Sequence, residues 1–173
     1  MFSYAGMCRL IACFAGMVIR LICIGKTDES WLQDAIDKYE KRLKHYIRFV
    51  WQVIPDLKPA ARLTVSEQKE KEGALILKQL DSSDVVVLLD ERGDEFRSVE
   101  FARFLEKKML ASTQQLVFVI GGPYGFSAAV YQRSNRRMSL SKLTFSHQMI
   151  RLFFTEQLYR AFTILRGEPY HHE

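Results

Sequence analysis

The clearest structural signal in the sequence is LVFVIGGPYGF, residues 116–126. Its first five residues form a continuous apolar run, which is typical of a parallel strand buried on both faces, and two glycines end that strand. A second run of this kind, VVVLLD, occupies residues 85–90. A helical segment at 98–110 separates the two runs, so they are predicted to be successive strands of one parallel sheet.

Strands and helices alternate on both sides of this centre. The pattern predicts further strands at 18–24, 49–54 and 138–145, and further helices at 31–46, 66–80, 128–134 and 150–166. Apolar residues at three- and four-residue spacing indicate the helices. The alternation predicts an α/β fold with a mostly parallel sheet, right-handed crossovers and helices on both faces.

Composition limits the class of protein. A chain of 173 residues with 48% apolar residues suits one domain with a sizeable core. No apolar run approaches the roughly 18 residues of a membrane-spanning helix. Cys8, Cys13 and Cys23 lie within the first 23 residues, and none has a histidine at metal-ligand spacing. We therefore expect reduced thiols, a cytoplasmic protein and no metal site.

The first 16 residues, MFSYAGMCRLIACFAG, differ from the rest. They resemble a weak signal peptide, but their apolar stretch is at the short end of the range for one, and a predicted strand follows at once. We expect Met17 to be the natural start and residues 1–16 to be a dispensable extension. The domain would then comprise residues 17–173. A cleaved signal peptide is the alternative.

The positive charge is concentrated near the C-terminus. The net charge is +5, and the segment from residue 131 onward holds seven Lys and Arg against three acidic residues. Such an excess favours a polyanionic partner, of which RNA is the obvious candidate. A mildly basic solvated surface would have the same composition.

Three loops follow the predicted central strands, where ligands bind in parallel α/β sheets. They begin after residues 90 (ERGDEF), 120 (GGPYGF) and 145 (SHQMIR). The GGPYGF loop is either a cradle for a cofactor or anion, or simply a tight turn. It matches neither the phosphate-binding loop nor the dinucleotide fingerprint.

Several polar residues near the C-terminus are compatible with catalysis or with ordinary structure. His147 precedes the last helix, where a histidine is more often a capping or packing residue. Arg151, Glu156 and Arg160 share one side of that helix, a pattern also found on solvated faces. The tail at 167–173 contains Tyr170 and His171, which can stack on nucleobases or belong to a floppy end.

Taken together, four segments carry a specific resemblance. VVVLLDERG, FVIGGPYGF, SLSKLTFSHQMIRLFFTEQLYRAF and RGEPYHHE resemble the ribosomal RNA large subunit methyltransferase H family, which are small SPOUT-class enzymes. The resemblance covers residues 17–173. It implies that the C-terminal part of the sheet is threaded as a trefoil knot, an exception to the usual absence of knots.

The resemblance also implies an activity. Members of the family methylate N3 of a pseudouridine in the helix 69 loop of 23S ribosomal RNA, with S-adenosylmethionine as the methyl donor. They act as homodimers on the assembled ribosome. A non-catalytic RNA-binding or ribosome-associated module and a SPOUT enzyme with another RNA target remain the alternatives. A nucleotide hydrolase is disfavoured, because its phosphate-loop lysine is missing and its best acidic cluster (Asp90, Glu91, Asp94, Glu95) shares one loop with arginines.

Carried over by motif, the resemblance implies a cofactor pocket, and the chemistry of methyl transfer to nitrogen adds candidates for catalysis and for RNA binding. The cofactor pocket would be formed by Leu89, Gly121, Gly122, Leu140, Ser141, Lys142, Leu143, Thr144 and Phe145. Catalysis would involve His147, Glu156, Tyr170 and His171, while Arg151 and Arg160 would hold RNA. We also expect the tail, with Tyr170 and His171, to reach the cofactor pocket of the partner subunit.

Overall fold

A computed structural model describes residues 16–57 and 63–171. Its strands are β1 (Val18–Ile24), β2 (Arg48–Ile54), β3 (Val85–Glu95), β4 (Gln115–Ile120) and β5 (Arg136–Ser139). Its helices are α1 (Ser30–Leu43), α2 (Val65–Leu77), α3 (Ser98–Leu110), α4 (Ala128–Arg133) and α5 (Met149–Arg166). Within the described residues the strands form one parallel sheet in the order β2-β1-β4-β3-β5.

The core has two layers because successive strand side chains point to opposite faces of the sheet. On one face, alternate residues of the central strands pack against α1, α3 and α5, and Phe118 contacts Phe154 with ring centroids 4.7 Å apart. On the other face, Ile22, Val86 and Val119 pack against α2 and α4. The predicted α/β class, with a parallel sheet and helices on both faces, is confirmed.

The N-terminal part of the sheet contains a buried thiol. Cys23 on β1 is free, and its burial raises its pKa to about 12, so it stays protonated and unreactive at neutral pH. Cys8, Cys13 and all of the predicted extension except Gly16 lie outside the described residues. Across the described ranges, no helix combines the length and apolar character needed to cross a bilayer.

The predicted strand at 138–145 is wrong beyond Ser139, where β5 ends. Serine side chains there bond to nearby backbone: Ser139 Oγ donates to the Ser141 carbonyl (2.8 Å), and the Leu143 amide donates to Ser141 Oγ (2.9 Å). These local bonds replace a strand ladder. Leu143, which lies within that predicted strand, is 75% exposed.

The chain crosses itself closely between β3 and β5. Met138 pairs with Leu89 and again with Asp94, so the end of β3 bends back over β5. A Cβ atom at Gly93 would lie 2.5 Å from the Met138 nitrogen, so only glycine fits there. Arg136 also bonds to Asp94 at 2.9 Å. This crossing is compatible with a trefoil knot, which stays a prediction.

Candidate active site

A cavity of about 450 Å³ lies at the carboxyl ends of β3, β4 and β5. This is the edge of a parallel sheet where ligands bind, and the volume falls in the range of roughly 300–1,000 Å³ that is usual for small-molecule pockets. Three segments line the cavity: residues 89–92, at the register shift within β3, the glycine loop that follows β4, and the loop that follows β5. All three belong to the segments that sequence analysis marked as candidate ligand loops or as the cofactor pocket.

The cavity gathers all but one of the predicted cofactor residues. Its wall includes Leu89, Gly121, Gly122, Leu140, Ser141, Leu143, Thr144 and Phe145. Lys142 is not part of the wall, and its side chain is exposed to solvent. The correction to the 138–145 strand explains this arrangement, because a loop can turn the consecutive residues Leu143, Thr144 and Phe145 toward the cavity, whereas a strand points successive side chains to opposite faces.

The GGPYGF loop is both a tight turn and a wall of the cavity. The Gly125 amide donates to the Gly122 carbonyl at 3.1 Å, which closes the turn. Phe126 then anchors it in the core beneath α2 and α4, and Ser127 Oγ accepts the Val130 amide at the start of α4. The two interpretations of this loop therefore describe one structure.

Asp90 and Tyr131 form a hydrogen-bonded pair in the cavity wall that the sequence analysis did not predict. The Tyr131 hydroxyl donates to Asp90 Oδ2 at 2.5 Å, and the Arg92 amide donates to Oδ1 at 2.8 Å. Burial and the adjacent Asp90 carboxylate raise the pKa of Tyr131 to about 12. Among the described residues no group of three His, Cys, Asp or Glu side chains could hold a metal ion.

Glu72 of α2 lies directly behind the GGPYGF loop. It is 4% exposed, and its Oε1 accepts a hydrogen bond from Gln68 at 2.7 Å, whereas Oε2 is buried without a partner. Burial raises the pKa of this carboxyl group, while Gln68 and His147 oppose that shift. The sequence analysis missed Glu72 because α2 has the composition of a solvated, highly charged helix.

His147 is the predicted proton acceptor that the structure places in the cavity wall. Hydrogen bonds to other parts of the chain hold the loop around His147 in place. Its carbonyl accepts a hydrogen bond from Arg151 Nε at 3.0 Å, and Gln148 Nε2 donates to Asp28 Oδ2 and to the Lys26 carbonyl, each at 2.9 Å. These bonds join the start of α5 to the loop that follows β1.

Arg151 is not on the surface where RNA could contact it, contrary to the expectation from the sequence. Its side chain is fully buried, with NH2 donating to the Ile24 carbonyl at 2.7 Å and NH1 to Thr27 Oγ1 at 3.2 Å. Together with the bond from Nε to the His147 carbonyl, these contacts give each of the three guanidinium nitrogens a partner inside the protein. Arg151 therefore braces the His147 loop against β1.

Three of the remaining predicted residues lie together, outside the cavity of their own chain. Tyr170 donates to Glu156 Oε1 at 3.0 Å, Arg160 bonds to the same oxygen at 2.8 Å, and the Arg160 guanidinium lies 4.9 Å from the Tyr170 ring centroid. Burial and the hydrogen bonds to Tyr39 and Glu156 raise the pKa of Tyr170. His171 follows at the end of the described chain and is also absent from the cavity wall.

Comparison with known proteins gives consistent matches. Proteins named "Ribosomal RNA large subunit methyltransferase H" are 58% identical in Christiangramia forsetii, over 90% of this chain and 99% of that one, and 59% identical in Parabacteroides distasonis, over 91% and 100%. A probable methylase family protein from Haemophilus influenzae is 14% identical, with a TM-score of 0.48 over 90% of this chain and 70% of its own. Residues 17–171 match the family described as "Predicted SPOUT methyltransferase". The chain therefore belongs to the SPOUT methyltransferase family.

Proposed function

We propose that this protein transfers a methyl group from S-adenosylmethionine to N3 of a pseudouridine in the helix 69 loop of 23S ribosomal RNA. The observation that carries the proposal is the near-full-length identity of about 58% to proteins named as large-subunit ribosomal RNA methyltransferases. A cavity of suitable size at the carboxyl ends of the strands supports it.

The residues present fit the cofactor. Leu89, Leu140 and Phe145 provide apolar surface for a planar adenine ring, and Ile150 adds to it. The backbone of the glycine loop, together with Ser141 and Thr144, offers hydrogen-bonding groups for the ribose and adenine edges. S-adenosylmethionine supplies a methyl group that its sulfonium already activates for transfer.

The chemistry that remains for the protein is positioning and proton transfer. Methyl transfer to nitrogen is an in-line displacement, so the cavity must hold the target base on the axis of the breaking bond. The N3 proton of the base has to leave before or during attack. We assign its acceptance to a ring nitrogen of His147, because His147 lies in the cavity wall on a braced loop.

Substitution of His147 tests this assignment. We expect His147→Gln to lower kcat by about 10²- to 10⁴-fold, the usual contribution of a general base. The dissociation constant for S-adenosylmethionine should change little, because the glycine loop and Leu140 stay in place. Calorimetric binding and single-turnover methylation measure the two quantities separately. An unchanged kcat would remove His147 from the mechanism.

The second part of the proposal is a homodimer in which the tail acts on the partner. Glu156, Arg160 and Tyr170 are joined to one another but lie outside the cavity of their own chain. A two-fold dimer could bring this group, with His171, to the partner's cavity. Arg160 would hold RNA phosphate, and Glu156, Tyr170 and His171 would contact the target base.

Mixing two inactive variants distinguishes action on the partner from action within one chain. One variant lacks residues 169–173, and the other carries Ser141→Trp, which puts a bulky side chain into the cavity wall. If the tail serves the partner, an equal mixture of refolded subunits regains about a quarter of the wild-type turnover, because heterodimers have one complete site. If the tail serves its own chain, no mixture is active.

The reaction itself is tested with ribosomes that lack the modification. Labelled S-adenosylmethionine is incubated with the protein and either assembled ribosomes or separate large subunits, and the RNA is mapped by mass spectrometry. We expect label on one pseudouridine of the helix 69 loop, and more of it on assembled ribosomes. Label elsewhere would mean a different RNA target. The proposed substrate places the protein in the cytoplasm.

A further inference from the structure

The buried carboxylate of Glu72 has no place in the mechanism described so far. It contacts the cavity wall from behind: a Cβ atom at Gly122 would lie 2.4 Å from Glu72 Oε2 and 2.9 Å from Oε1. Glu72 itself is not part of the cavity wall, but it lies against Gly122, which is. Glycine at position 122 allows the approach, since any side chain there would displace Glu72.

A buried carboxylate oxygen in this position destabilises the protein unless a hydrogen bond or a positive charge compensates for it. A buried polar atom without a hydrogen bond costs about 1–3 kcal/mol, and more when the group is charged. Oε2 has no such bond within the described residues. Two titratable groups act on Glu72: Asp56 disfavours its ionised form, and His147 favours it. A cation in the cavity would provide the missing compensation.

Asp90, a carboxylate in the cavity wall, differs in this respect. Both of its oxygens already accept hydrogen bonds, from Tyr131 and from the Arg92 amide. Arg92 and Lys69 also line that side of the cavity and supply positive charge. Glu72 is thus a buried carboxylate next to the cavity with a hydrogen-bond donor at Oε1 and none at Oε2.

We propose that Glu72 is a specificity-determining residue that favours the positively charged sulfonium of S-adenosylmethionine over the neutral thioether of the product, S-adenosylhomocysteine. The proposal rests on the proposed function. Coulomb attraction across a short distance in a poorly solvated site favours the cation, while the neutral product gains nothing from it. Glu72 would thereby promote exchange of product for fresh cofactor.

Calorimetric titration of both ligands tests the proposal on three proteins. Glu72→Gln removes the charge and keeps the shape, and Glu70→Gln removes a charge from an exposed position of the same helix. We expect Glu72→Gln to weaken binding of S-adenosylmethionine about tenfold and binding of S-adenosylhomocysteine by less than about twofold, a factor of ten being ~1.4 kcal/mol. Glu70→Gln should bind both ligands like the wild type.

Equal weakening of both ligands, or none, would overturn the proposal and leave Glu72 as a packing residue. If Glu72→Gln does not fold, Glu72→Met offers an apolar side chain of similar length for the same comparison. The selectivity between the two ligands is the readout, because loss of packing would not favour either of them. A wild-type protein that binds neither ligand would contradict the proposed function instead.

Discussion

Arg151 shows how one side chain sets the geometry of the active-site loop. Its guanidinium bonds to the end of β1, to Thr27 and to the carbonyl of His147. The position of His147, the proposed proton acceptor, therefore depends on a residue that was expected from the sequence to bind RNA. A cation buried in this way contributes through its hydrogen bonds, and removing it leaves carbonyl groups unpaired inside the protein.

We expect Arg151→Met to lower the free energy of unfolding by about 2–4 kcal/mol, because it leaves buried acceptors unsatisfied. Urea denaturation measures this loss. Arg103→Met is the control, since Arg103 is exposed on α3 and its replacement should change stability by less than about 0.5 kcal/mol. Full stability of Arg151→Met combined with weaker RNA binding would restore the role expected from the sequence.

Tyr131 provides a prediction about pH. Its pKa of about 12 in the folded protein exceeds the value of about 10 for an unfolded chain. The neutral hydroxyl therefore stabilises the fold fully below pH 10, and this contribution is lost as pH rises from 10 to 12. The stability difference between wild type and Tyr131→Phe should shrink over that window. A constant difference in urea unfolding between pH 9 and 12 would contradict the assignment.

At the scale of elements, the crossing between β3 and β5 is the tightest point of the fold. Gly93→Ala would place a methyl carbon within 2.6 Å of backbone atoms of Met138. The backbone of a paired strand cannot shift without a large energetic cost. We therefore expect the substitution to lower the free energy of unfolding by more than about 3 kcal/mol or to prevent folding. Circular dichroism and urea denaturation measure it. Glu95→Ala, an exposed change on the same strand, should be tolerated.

The sequence predicts those elements whose apolar pattern is compatible with one type of secondary structure. The bounds of β1 and α3 agree with their predictions at 18–24 and 98–110, because a largely apolar run ended by Gly25 marks the strand and a clear helical period marks the helix. The 138–145 segment alternates like a strand, yet its serines bond to neighbouring backbone and form a loop. Local sequence does not show which of these two bonding patterns the tertiary structure favours.

The pattern of strands and loops predicted where a ligand would bind, but only the resemblance assigned the residues there to a cofactor pocket. Glycines at 121 and 122 are equally consistent with a turn, and the structure shows that they form one while lining the cavity. The roles of Glu72 and Tyr131 could not be predicted, since each depends on contacts with residues about 50 or 40 positions away in sequence. A helix rich in charged residues does not show which carboxylate is buried.

At the scale of the whole molecule, the net charge of +5 determines how the protein approaches RNA. Phosphate contacts release counterions, so binding should weaken linearly with the logarithm of salt concentration. We expect Arg160→Gln to reduce that slope by about one, the value for a lost phosphate contact, and Arg103→Gln to leave it unchanged. Filter binding to ribosomes over a range of salt measures both. Equal slopes would remove Arg160 from the RNA interface.

The crossing of Gly93 and Met138 also affects the stage of protein synthesis at which the cavity can form. The cavity wall runs from Lys69 to Ile150, and its last loop follows β5, which must first settle beneath the end of β3. A chain still emerging during translation has no complete cavity. Under the proposed function, a ribosome is therefore not modified by the copy of the protein that it is still synthesising.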